Sequence, residues 1–401
     1  MMPPLRRTRG DLIATGVIAV VSAALVGTAV LTAPVRSAHL EPTTAEVDNP
    51  GKLAAAPTQL RESFRLRDES PRLRPLVAEG MIVTYADGTL TATTPAGESA
   101  WTYTREDDLC ALDQAWGNVV ATYRGPAGCG DVVSIDALTG QYANTRSAPA
   151  PDTVTGISSN DRVGYASPTR TELWRSDLVR TVEYGAVEAP QEDDMQPHQC
   201  QQTSALTRTE LLAVTEVCED GTFLRLQDTT PEDSRKPEIK ADIAIPEGAY
   251  LVAIGQDAAA VYDPATSEVS TYSSEGLRTT TSTVPALRGD RRIDDTFHVL
   301  PTADLPHHMS YFDGAMLVLF APETLSVTDV FDNAAGTGVG AGERLLFATA
   351  EGIAVAQWDA STIEQVIPVD RGGYTGEVFV DSAGAGVVEK RGSEVVYLAA
   401  D

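Results

Sequence analysis

The side chains able to do chemistry are few and scattered. His307 and His308 stand together in PTADLPHHMSYF, close to Asp304, and are the nearest approach to a metal cluster. Neighbouring residues on a strand point to opposite faces, so a two-ligand site here would need a loop and further ligands from elsewhere. The pair therefore reads as a loop or strand entry. The carboxylate runs Glu192-Asp193-Asp194, Glu232-Asp233 and Asp294-Asp295 lie near Pro, Gln or Arg, where such runs usually solvate a loop; weak divalent-ion binding is the other chemistry open to them. The chain has no HExxH, no GxSxG with a matching His, no GxxxxGK[ST] and no DxDxDG loop. The expectation is no catalytic, cofactor-binding or metal-binding residue.

Two segments carry residues suited to a partner. In PVDRGGYTG, residues 368–376, the glycines free the backbone while Asp370, Arg371 and Tyr374 offer a mixed polar and aromatic surface, and Arg and Tyr are enriched at binding hot spots. The competing reading has Arg371 paired with Asp370 or a neighbouring repeat. WRSDLVRTVEYG, residues 174–185, adds Trp174, Arg175 and Arg180; its alternation makes a strand pair the first expectation.

The cysteines point to a compartment. Cys110 and Cys129 bracket AWGNVVATYR, Cys200 and Cys218 bracket ELLAVTEV, and no CxxC occurs. Two local loops across strand-like runs predict structural disulfides formed in an oxidising environment. The N-terminus agrees. Leu12 to Ala33 is 22 residues without a charge, enough for a helix to cross a hydrocarbon core of roughly 30 Å. Arg36 sits badly for signal-peptide cleavage after Ala38, so the segment is read as a retained anchor. Arg6, Arg7 and Arg9 precede it, which keeps residues 1–11 cytoplasmic and sends the rest outside. Residues 34–60, rich in Pro, Ala and Thr, read as a flexible linker, and 61–401 as one extracytoplasmic domain. With 30 basic against 57 acidic residues, a formal charge of −27, nucleic acid is an unsuitable partner.

The elements that must position these residues are strands. After residue 60 the chain is a succession of 4–8 residue runs of Val, Ile, Leu, Thr and Tyr punctuated by Gly, Pro, Asp and Asn. A turn of the form Asp-x-x-Thr recurs at Asp136–Thr139, Asp263–Thr266 and Asp359–Thr362, with a degenerate copy from Thr93 to Gly97. Asp can accept local backbone N–H groups and Thr adds a second bond. Trp101 stands four residues past Gly97, where its indole could pack on the next repeat. Thr93 to Asp136 is 43 residues, and Thr93 to Asp401 is 308, seven steps of 44 and hence eight turn positions. That period predicts an all-β propeller of about eight four-stranded blades, seven being the alternative. The last blade lacks a strand, which SFRLR at 63–67 could supply.

The turn pattern, with DALTG and the Gly97-to-Trp101 spacing, resembles the PQQ-binding-like β-propeller repeats. The chain as a whole is similar to a family of actinobacterial single-pass envelope proteins of this propeller class, through RRTRGDLIATGVIAVV, LCALDQAWGNVVATYRGPAGCG, ELWRSDLVRTVEYGAVEAP and IPVDRGGYTGEV. That resemblance implies the fold and the cell-membrane address and carries no established activity or catalytic residue. The quinoprotein members of the class imply adjacent cysteines and a Trp floor; here no two Cys are adjacent, and Trp101, Trp116, Trp174 and Trp358 lie in blade-like segments. The function expected is a non-catalytic scaffold for envelope proteins. The alternatives are a receptor for an envelope lipid, glycan or small ligand at the propeller centre and, more remotely, a quinoprotein oxidoreductase.

Overall fold

The computed structural model describes residues 8–32, 36–44, 47–159, 161–187, 190, 192, 195–288, 291–358 and 360–400. One helix, α1 (Arg9–Thr32), is long and apolar enough to cross a membrane and is not buried by the rest of the chain. Asp11 and Thr8 exchange hydrogen bonds at its start, as in a capping box.

Among the described residues, eight antiparallel sheets make a ring, seven with four in-sequence strands over 76–104, 109–147, 155–185, 201–245, 250–283, 302–331 and 339–368, and an eighth with three over 378–400. The eighth is completed by an N-terminal strand. We number these blades 1 to 8. Inner strands are buried on both faces, as in Tyr250–Ile254 and Leu317–Phe320, because each is sandwiched between two neighbouring blades. Outermost strands alternate, as Arg278–Thr283 does. The apolar runs are continuous for this reason, with clean alternation confined to the rim.

In every blade the register between the third and the fourth strand slips by one residue. The extra residue is always on the fourth strand from the axis: Ala100, Ala143, Thr181, Lys240, Thr279, Thr328, Glu364 and Ser63. Such bulges increase local twist, which a blade needs as it fans from the axis to the rim.

Two N-terminal strands join the ring. β1 (His39–Glu41) adds a fifth strand to blade 1, pairing with 102–104. β2 (Leu60–Arg67) is the outermost strand of blade 8, paired antiparallel with 394–400 from Leu60↔Ala400 to Arg67↔Glu394. The expected completion of the last blade by 63–67 therefore holds, and the pairing extends back to Leu60. Lys390 locks it: its buried ammonium donates to Asp68 Oδ2 at 2.6 Å and to Ser70 Oγ at 2.9 Å.

The segment expected as a flexible linker, 34–60, differs over most of its described length. After β1, Thr43 N bonds Thr139 O of blade 2. Asn49 then bonds Glu79 of blade 1, Gly384 N of blade 8 donates to Gly51 O, Leu53 is buried against Val339 and Ala341 of blade 7, and Gln365 reaches Pro57 O. The chain thus forms a strap across one face of the ring. Composition misled because the strap is held by scattered hydrogen bonds and by one buried leucine of its own; the close passage is permitted by Gly80, where a Cβ would stand 2.9 Å from the backbone of Gly51.

The turn motif is also less regular than its spacing suggested. The Asp136 turn joins the third and fourth strands of blade 2, whereas the Asp263 turn joins the second and third strands of blade 5, on the opposite face. Both use the expected chemistry, with Asp136 Oδ1 accepting from Leu138 N, Thr139 N and Thr139 Oγ1 and Asp263 accepting from Ala265 N and Thr266 Oγ1. Asp359 lies outside the described residues.

Candidate functional site

The inner strands surround a chamber of about 890 Å³ on the propeller axis. An inserted hairpin, 292–298, and the crossing segment 71–74 lie toward one end of it. At the other end, strap residues Asn49 to Lys52 cover the side nearest blades 1, 7 and 8. The hairpin is pinned by Phe297, buried among residues of blades 3 and 4, and by the Arg291–Glu377 ion pair.

Three ion pairs ring the chamber. Arg72 meets Asp113 at 2.7 Å, Arg208 meets Asp304 at 3.0 Å, and Arg74 meets Asp381 at 3.3 Å. Ser158 Oγ donates a further bond to Asp113. Burial pushes the Asp113 and Asp304 carboxyls above the usual range despite their arginines, and it pulls the Arg74 guanidinium down. With Lys52 and Glu79 also in the lining, four basic groups face four acidic ones. Arg72 Nε, Arg74 Nε and Arg208 Nη1 are buried without a hydrogen-bond partner.

No local sequence pattern marks any of the three chamber arginines. Their pairings span 41, 96 and 307 residues, too far for any local pattern to signal. Asp304 was noted only as a neighbour of the histidines. Those histidines pack against one indole: His308 stacks on Trp358 with ring centres 5.6 Å apart, and His307 meets the same ring edge-on.

The partner-facing candidates separate into two groups. Trp174 and Arg371 are corrections. Trp174 is buried between blades 2 and 3 and donates from Nε1 to Glu172. Arg371 is buried too, holding Glu389 at 2.7 Å and the carbonyl oxygens of Thr349 and Gly352. Each satisfies a fully buried carboxylate, which an exposed side chain could not do. Arg180 is half-buried and pairs with Glu183 at 2.7 Å. Asp370, Tyr374 and Arg175 are exposed, although Arg175 is held by Asp177. Of the carboxylate runs, Asp193 and Asp194 lie outside the described residues, Glu192 pairs with Lys236, and Glu232, Asp233, Asp294 and Asp295 are exposed. The cysteines are bonded as expected, Cys110 to Cys129 and Cys200 to Cys218.

No protein-family model matches the chain, and no curated protein matches it. Solved structures do. BamB from Moraxella catarrhalis superposes with a TM-score of 0.52 at 12% identity, covering 85% of this chain and 99% of that one. The shared fold is the β-propeller, here with eight blades. Dihydro-heme d1 dehydrogenase NirN, in complex with DHE, superposes equally well, with a TM-score of 0.52 at 11% identity over 83% of this chain and 76% of that one. At such identities the likeness concerns architecture alone.

Proposed function

We propose that this PQQ-like propeller is a membrane-anchored, extracytoplasmic, non-catalytic scaffold that holds envelope proteins together during envelope biogenesis or maintenance. Residues 12–33 would span the membrane with the N-terminus in the cytoplasm, an address supported by the apolar helix and the two disulfides. The resemblance to actinobacterial single-pass envelope proteins fits the same address.

One observation carries the reading. Tyr142, Val179, Leu277 and Ile363 are among the few large apolar side chains of the propeller left exposed, at 47%, 47%, 63% and 40%. All four stand just past the third hairpin turn of their blades, in blades 2, 3, 5 and 7. They share one face. The chain leaves the helix toward the other face, since His39 pairs with Thr104 at the far end of blade 1's outer strand. Only six residues separate Thr32 from His39, at most roughly 20–25 Å of chain. A rigid ring on so short a lead would present its apolar corners away from the anchor, where proteins beside the membrane can dock.

The test is photo-crosslinking in intact cells from a probe placed at Val179 or Leu277, compared with one at Asp370 on the opposite face. Defined envelope proteins captured from the first two positions and not the third support the scaffold. Equal or no capture from all three would remove it.

A further inference from the structure

We infer that the axial chamber is a binding site for the end of a neutral oligosaccharide. This goes beyond the scaffold reading, because it concerns the ring's interior and not its outer corners.

Charge decides the class of ligand. Lys52, Arg72, Arg74 and Arg208 are balanced by Glu79, Asp113, Asp304 and Asp381 around one space. A phosphate or carboxylate entering it would have to compete with the aspartates for the arginines, and a cation would have to do the reverse. An apolar ligand would strip water from three ion pairs and return no hydrogen bonds. A polyol meets neither penalty. Each hydroxyl can donate to an Asp oxygen and accept from an Arg nitrogen at once. The charged partners make such bonds stronger than those between neutral groups.

The wall supplies an aromatic surface as well. Trp116 lines the chamber at the first turn of blade 2, next to Ser158 and Ser159 of blade 3. Its φ of +55° is that of the first residue in a two-residue hairpin turn, as at Glu79 and Asp87. An indole presents a flat apolar face to the C–H side of a sugar ring while the hydroxyl edge turns to the ion pairs. The strap covers the side of blades 1, 7 and 8, so entry lies beside Trp116, Ser158 and Arg208. A volume of about 890 Å³ falls in the ordinary range of small-molecule sites.

The experiment titrates the full-length protein in detergent with maltotriose and with N,N′,N″-triacetylchitotriose, using glucuronate and inorganic phosphate as charged comparators. Calorimetry and tryptophan fluorescence are the readouts. Saturable binding of at least one trisaccharide is expected, weakened by about tenfold or more in Trp116→Ala and in the charge-neutral pair Arg208→Gln/Asp304→Asn. The paired variant keeps the test valid if Trp116→Ala fails to fold. Preference for glucuronate or phosphate overturns the inference. So does the absence of trisaccharide binding at millimolar concentration, or binding that both variants leave unchanged. Crosslinks from Leu277 should persist in Trp116→Ala, so failure here and failure of the scaffold reading are distinguishable.

Discussion

Trp101 of blade 1 lies against Gly140 of blade 2 so closely that a Cβ on that glycine would stand 2.5 Å from the indole's Cβ and Cγ atoms. The indole Nε1 donates to Ala137 O in the same turn at 2.8 Å, and Gly140 has φ +68°. Trp101 thus docks one blade onto the DALTG turn of the next. Gly140→Ala should destabilise the protein by about 2–4 kcal/mol, through left-handed strain and overpacking together. Urea denaturation measures it, and a loss below about half a kcal/mol would mean that the two blades do not depend on this contact.

Arg371 is expected to behave as part of the core. Glu389 is fully buried and retains only Arg391 once Arg371 is truncated. Arg371→Ala should therefore cost roughly 3 kcal/mol or more. Tyr374→Ala, at an exposed site, should stay within about half a kcal/mol. Parallel denaturation curves check the contrast.

The strap should resist proteases despite its linker-like composition. Leu53 is buried beside blade 7, and replacing it with Asp places a charge where no partner waits. Limited proteolysis followed by mass spectrometry should find residues 47–57 protected in the native protein and cut in Leu53→Asp. Cleavage at equal rates in both would show that the strap does not hold to the face in solution.

Asp113 sets a pH dependence of definite sign. Burial raises its pKa from the usual 3.8, so the folded state holds this proton more tightly than the unfolded chain does. Its contribution to stability is present below the ordinary carboxylate range and is lost as pH rises through the raised value. The stability of the wild type minus that of Asp113→Asn should accordingly fall as pH rises above roughly 4. A difference that grows over this range would reverse the sign of the shift.

Each disulfide closes a short loop, with partners 19 and 18 residues apart. Replacing either pair by serine should cost about 3 kcal/mol. Denaturation with and without reductant measures both, and variants as stable as the wild type would indicate that the bonds add nothing to the fold.

The sequence by itself determined what depends on local chemistry and on counting. A charge-free stretch of 22 residues fixed the helix, apolar runs bounded by turn residues fixed the strands, and the number of blades followed from a mean period near 44, although the blades begin 33 to 52 residues apart. The missing eighth-blade strand was legible because the count came up one short. Tertiary structure alone decided the rest. The eight bulged residues are of five types, Ala, Thr, Lys, Glu and Ser, since a bulge answers the twist imposed by neighbouring blades and not one side-chain preference. Trp174 and Arg371 look like surface residues in their own segments; packing between blades 2 and 3 buries Trp174 beside Glu172 of its own strand, and Glu389, carried in by a strand of blade 8, draws Arg371 inward. The chamber is the extreme case: Arg74 and Asp381 lie 307 residues apart, and they meet only because closing the ring brings blade 8 beside blade 1.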